Sequence, residues 1–117
     1  MNVLAQRAED ETSARLAASV ASYALGVPAD ALLRIKRGAR REAFARQVAM
    51  YLCHVAFAFS YQRVAIAFGR DRSTVAHACH VIEDKREDAR FDFWISGLEM
   101  MLRRAPPPER RTAEVLR

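Results

Sequence analysis

The chain has 117 residues, 51% of them hydrophobic, and a formal net charge of +5. That length fits one domain burying about two-thirds of its unfolded surface, and the apolar fraction excludes disorder throughout. The excess of cations, at a pI near 9.9, favours a polyanionic partner without specifying which one.

Every long segment reads as helix, because no sustained alternation marks a half-buried strand and glycine and proline are confined to a few junctions. A first helix is expected over about residues 9–25, with Leu16, Val20, Tyr23 and Ala24 as its apolar stripe and Gly26 as a left-handed stop. Pro28 suits the first position of a short helix through Leu33. Between positions 34 and 46 stand Arg34, Lys36, Arg37, Arg40, Arg41 and Arg46 against Glu42 alone. Gly38 and the crowded like charges predict a loop through Arg40. A long helix then covers about 41–59, lined inward by Phe44, Val48, Tyr51, Leu52, Val55 and Phe59, with Phe57 slightly off that face toward the terminal helix.

Ser60 is expected to cap a short helix over 61–68 that turns Val64, Ala65 and Phe68 inward and ends at Gly69. Asp71 should cap the next helix, its carboxylate accepting from the amide of Ser73 or Thr74. In that helix Val75, Ala78, Cys79 and Ile82 form the inward stripe, and Arg72, Thr74, His77, Val81 and Lys85 the outward face; it should end near 89 or 90. Asp92 is expected to cap a last helix through about 104, carrying Phe93, Trp94, Ile95, Leu98, Met101 and Leu102. Residues 1–105 thus read as one helical domain. Residues 106–117 read as a mobile, proline-led basic tail, a helical turn on a partner being left open for its last residues.

Two cysteines, Cys53 and Cys79, lie in apolar-periodic stretches and are read as small buried hydrophobes, being too few for a disulfide scaffold. The three histidines and these cysteines show no zinc-ligand spacing. No paired carboxylates or nucleophile–base set stands out, so neither enzyme activity nor a metal or other cofactor is expected. Trp94 with Phe91 and Phe93 reads as core packing rather than a stacking platform for single strands, and Met100 and Met101 as packing or an interface edge. No basic-then-apolar leader opens the chain and no apolar run approaches a bilayer span, so the expected compartment is the cytoplasm, in association with the nucleoid.

Two short helices joined by a glycine-containing turn, the second opening on polar residues, satisfy the requirements of a helix-turn-helix. Ala65 and Ala67 allow close approach of the first helix. The second must reach base edges with short polar groups and a charged fork at its start. The preceding basic loop adds cations suited to a phosphate backbone or a minor groove. Arg46 and Gln47, on a helix whose inward positions are filled by Phe44 and Val48, are expected at the surface.

The segments Arg46–Gln47–Val48–Ala49–Met50–Tyr51–Leu52 and Arg70–Asp71–Arg72–Ser73–Thr74–Val75–Ala76–His77–Ala78–Cys79, followed by Ile82 and Glu83, resemble the carboxy-terminal DNA-binding domain of the bacterial replication initiator DnaA. Val20–Ala21–Ser22–Tyr23 and Leu32–Leu33 fall where that family has its opening helix and connector, so the resemblance covers roughly residues 18–102. It implies an all-α fold with a helix-turn-helix related to that of the Trp repressor. It also implies that Lys36 and Arg37 belong to a basic loop with Arg37 or a neighbour in the minor groove, that Arg46 and Gln47 sit at the DNA surface, and that Asp71, Arg72, Ser73 and Thr74 form the base-reading turn with His77 beyond them. Arg40, from the same run of cations, is expected to contact DNA alongside Lys36 and Arg37. The chain departs from the family in Arg72, where histidine is usual, in a single Gly69 where two glycines are usual, and in a basic loop about one residue longer. No glycine-rich phosphate loop with its lysine occurs, so ATP-dependent activity is not implied.

Each candidate residue has a plainer alternative. Arg72 is a solvated arginine or a bidentate guanine reader; Thr74 stabilises the helix start or touches a base; Asp71 is first a cap; His77 is a surface histidine or a phosphate contact. The expected function is sequence-specific binding of double-stranded DNA by a small regulator. The alternative is a helical protein-interaction module derived from such a domain, and homodimerisation or a protein partner through the last helix or the tail stays open.

Overall fold

A computed structural model describes residues 2–33 and 40–106, which form six α-helices and, among the described residues, no strand: α1 (Val3–Leu25), α2 (Ala29–Leu32), α3 (Arg40–Ala56), α4 (Tyr61–Phe68), α5 (Arg72–Lys85) and α6 (Ala89–Arg104). Lys36 and Arg37 of the basic loop, and the tail past Pro106, lie outside the described residues. Helix α3 is the central element, packed on α1, α5 and α6.

Helix α1 starts well before the expected position because Asn2 caps it, accepting from the Leu4 amide at 2.9 Å. Its inward face also differs from the expected stripe. Asp10, Ser13, Ala14, Ala17, Ala18 and Ala21 are buried, whereas Leu16 is exposed and Tyr23 is 88% exposed. Small side chains let α3 approach closely, so packing here is a matter of fit rather than of bulk. Gly26 ends the helix in the left-handed region at φ 67°, as its place in the sequence predicts.

Helix α3 begins at Arg40 instead of following it, and stops at Ala56, short of Phe59. Ala58 then takes φ 57°, a left-handed conformation unusual for a residue with a Cβ. The reversal is tied by His54, whose Nδ1 donates to the Phe59 carbonyl at 2.6 Å. Phe59 is buried as expected, but from this connection and not from the helix. Ser60 caps α4 by accepting from the Arg63 amide at 3.2 Å. Gly69 closes α4 at φ 64°, and the Arg70 amide donates back to the Ala65 carbonyl at 2.9 Å.

The α5–α6 boundary falls earlier than expected. Asp88, not Asp92, caps α6, accepting from the amides of Arg90 at 2.9 Å and Phe91 at 3.1 Å. Asp92 is instead held by Arg86, which donates to it at 2.6 Å, to the Tyr51 hydroxyl at 2.8 Å, to Ser96 at 2.7 Å and to Glu99 at 3.2 Å. Burial opposes the charge on Arg86, but these partners outweigh it and raise its pKa. One guanidinium thus joins α3, the end of α5 and α6. Trp94 is half-buried beside Phe91, while Phe93 departs from the packing role expected of it and is 84% exposed.

Candidate nucleic-acid interface

The recognition-type helix is set by its inward residues. Val75, Ala78, Cys79 and Ile82 are buried, which leaves Arg72, Ser73, Thr74 and His77 exposed on the other side, as the spacing predicts. Thr74 and His77 face a cleft of about 420 Å³ shared with Ala43, Arg46, Gln47 and Met50 of α3 and with Gly69, Arg70 and Asp71 of the turn. Five of the expected site residues therefore meet at one concavity: Arg46, Gln47, Asp71, Thr74 and His77.

Asp71 holds the N-cap position with extended backbone, but its carboxylate bonds none of the first-turn amides, contrary to the expected cap. Those amides lack partners within the helix and carry the positive end of its dipole.

Arg46 also differs from expectation. It is buried rather than exposed, with Nε 3.2 Å from the Leu32 carbonyl and Nη2 3.2 Å from the Ala31 carbonyl. Burial and the neighbouring Arg70 charge lower its pKa. Arg41 acts in a similar way, donating from Nη2 to the Leu25 carbonyl at 2.9 Å. Two cations of the basic run thus satisfy carbonyls at the ends of α1 and α2, where positive charge is favoured by the helix dipole. Arg40, in the first turn of α3, is exposed.

Arg72 lies outside the cleft lining. Its Cζ stands 5.8 Å from the centre of the Tyr61 ring, at the start of α4. Arg70, by contrast, lines the cleft although it was not among the expected site residues. Its signal was its place between the α4 stop and the α5 cap, where a helix-turn-helix exposes its turn. Among the described residues no group of three or more histidine, cysteine or acidic side chains is placed to hold a metal ion, and no helix is long and apolar enough to cross a membrane.

Comparison with known proteins gives a consistent answer. The model of the bacterial DnaA protein helix-turn-helix family matches residues 15–82. The chain is similar to chromosomal replication initiator protein DnaA 2 of Chlamydia caviae, 34% identical over 90 residues that make up 77% of this chain and 19% of that one. It is 36% identical over 81 residues to DnaA 1 of Chlamydia pneumoniae, covering 69% and 17% of the two chains. With DnaA of Aquifex aeolicus it shares 38% identity over 82 residues, 68% and 20% of the two chains. The chain spans about a fifth of the length of these curated relatives. The solved structure of a DNA replication initiation factor superposes with a TM-score of 0.74 at 25% identity, over 86% of this chain and 31% of that one. A replication initiator DnaA bound to AMPPCP and single-stranded DNA gives 0.73 at 24% identity over the same shares, a likeness of fold.

Proposed function

The chain belongs to the bacterial DnaA protein helix-turn-helix family, a non-catalytic DNA-binding module, and from that premise we propose that it binds double-stranded DNA in a sequence-dependent way as a small regulator. The observation that carries this reading is the start of α5. Its first turn is exposed and polar, with Arg72, Ser73, Thr74 and His77 outward, while Val75, Ala78 and Ile82 fix the helix in the core. A helix held in that manner can enter a major groove and read base edges with its N-terminal residues.

Gln47 and Arg70 line the cleft beside that turn, and with the first-turn amides of α5, which the Asp71 side chain leaves uncapped, they suit phosphate oxygens. Arg40 adds an exposed cation in the first turn of α3. Lys36 and Arg37 are proposed as further phosphate contacts on their charge alone, and association with the nucleoid follows from this reading. Arg46 supports the interface from beneath in this reading, since its Nε and Nη2 donate to the carbonyls of Leu32 and Ala31.

Titration of a labelled random duplex followed by fluorescence anisotropy, repeated across salt concentrations, is the direct test. If about four to six phosphates are contacted, the log–log slope of affinity against salt is roughly −4 to −5. No saturable binding at low salt defeats the proposal.

The outer face of α6 favours a second, compatible role. Phe93, Met100 and Met101 are exposed there beside Arg90 and Arg104, and aromatic, methionine and arginine side chains are enriched at protein interfaces. A protein partner or a second copy on this helix is the corresponding proposal. Sedimentation of the chain over a range of concentrations, with Phe93→Ser as control, tests the second copy.

A further inference from the structure

Tyr61 opens α4 and Arg72 opens α5, and their side chains meet across the helix-turn-helix. The guanidinium carbon lies 5.8 Å from the ring centre, inside the roughly 6 Å range over which a cation is drawn to an aromatic face. Tyr61 is itself held. Its ring lies 4.6 Å from the His54 imidazole, tilted by 38°, and His54 donates from Nδ1 to the Phe59 carbonyl. A line of contacts therefore runs from α3 through His54 and Tyr61 to the first residue of α5.

The chemistry of this contact separates it from an ion pair. A carboxylate would occupy the guanidinium donors, whereas an aromatic ring attracts the cation and leaves its N–H groups free. Arg72 makes no ion pair with a described residue. Its fork is steered yet unspent, the condition for bidentate donation to O6 and N7 of guanine. Restricting a long side chain before binding also removes part of the ordering cost of the contact.

We propose that Tyr61 is a positioning residue that presents Arg72 to a guanine edge, and so sets the strength of sequence preference more than the overall affinity for duplex. The proposal rests on the duplex-binding reading above. Tyr61 acts only through the guanidinium, so its loss weakens a preference that loss of Arg72 removes altogether.

The test uses the full chain, a preferred duplex enriched from a randomised library, and a random duplex at the same salt. The ratio of the two affinities is measured for the unmodified chain, Tyr61→Leu, Tyr61→Phe, Arg72→Ala and the Tyr61→Leu/Arg72→Ala pair. Tyr61→Leu should lower the ratio about two- to fivefold, the range of an exposed cation–aromatic contact. Tyr61→Phe, which keeps the ring, should restore it, and Tyr61→Leu should add nothing to Arg72→Ala. Duplex binding with an unchanged ratio in Tyr61→Leu, or with additive losses in the pair, overturns the positioning role alone. No duplex binding by the unmodified chain overturns the DNA reading and this proposal with it. Should Tyr61→Leu fail to fold, the Arg72 δ-proton shifts of the unmodified chain decide: upfield displacement by the ring supports the contact, and ordinary arginine values overturn it.

Discussion

Arg63 and Asp10 meet in a two-pronged ion pair that fastens α4 to α1, with Nε 3.0 Å from Oδ2 and Nη2 2.8 Å from Oδ1. The same guanidinium lies 4.0 Å from the centre of the Phe59 ring, and the Asp10 bond raises its pKa. The first helix of the helix-turn-helix is thereby tied to the long amino-terminal helix rather than left to hydrophobic contact alone.

Asp10→Ala should destabilise the fold by about 1–2 kcal/mol, between the values for exposed and buried pairs, because the arginine side of the pair is screened by solvent. Urea unfolding measures it. An unchanged midpoint would show that the pair adds nothing beyond its geometry.

The two N-caps of the helix-turn-helix should respond differently. Ser60 accepts a hydrogen bond from the Arg63 amide, so Ser60→Ala should cost about 1 kcal/mol. Asp71 makes no such bond, and Asp71→Ala should cost less than about 0.5 kcal/mol, chiefly through the helix dipole. Removing that negative charge should also tighten binding to random duplex, since it repels phosphate. Equal losses of stability at both positions would mean that Asp71 caps α5 after all.

The buried thiols make stability sensitive to alkali. Burial pushes Cys53 and Cys79 from 9.0 up to about 12, with the Asp10 and Glu83 charges respectively adding to it. Below pH 9 both folded and unfolded chains keep these protons, and the contribution is fully present. Between pH 9 and 12 the unfolded chain releases them and the folded chain does not, so stability falls as pH rises through that window. Each thiol should contribute a slope of about 1.4 kcal/mol per pH unit there. The Tyr51 hydroxyl, also raised by burial, works in the same direction. A Cys53→Ala/Cys79→Ala chain should show a shallower decline above pH 9, whatever its stability at neutral pH. Parallel curves for the two proteins would contradict this.

Local punctuation made much of this fold legible. Gly26, Ser60 and Gly69 stop or cap helices where their chemistry predicts, and the 3.6-residue spacing of Val75, Ala78, Cys79 and Ile82 identifies the buried side of α5. What misled was bulk. Leu16 and Tyr23 point outward, and the α1 interface is made by Ala14, Ala17, Ala18 and Ala21, whose value lies in close approach and not in hydrophobicity. Asp88 and Asp92 are both acids near the start of an apolar run, and helical spacing does not separate them: Asp88 accepts from the first-turn amides of α6, while Asp92 is engaged by Arg86 six residues earlier. Within the candidate site, the outward set Arg72, Thr74 and His77 followed from helical periodicity. The fate of Arg46 depended on carbonyls at Ala31 and Leu32, and no local pattern reveals a bond across such a span.

Arg46 and Gln47 are neighbours on α3 and line the same cleft, but their substitution should separate structure from contact. Arg46→Ala leaves the carbonyls of Ala31 and Leu32 without their buried donors, at a cost of about 2–3 kcal/mol. Arg46→Lys should recover only part of this, because an ammonium lacks the planar fork that reaches both oxygens. Gln47→Ala should change stability by no more than about 0.5 kcal/mol. Duplex binding, measured well below the melting temperature of every variant, should sort them the other way. Gln47→Ala should weaken binding at every salt concentration, through a lost neutral contact that releases no counterion. Arg40→Ala should reduce the salt slope by about 1, as for one lost phosphate contact. Arg46→Ala should leave that slope intact while it remains folded, because its charge is committed inside the protein. A slope lowered as much by Arg46→Ala as by Arg40→Ala would place the Arg46 guanidinium on the phosphate backbone, and the two carbonyls would then have to be satisfied by another donor in the complex.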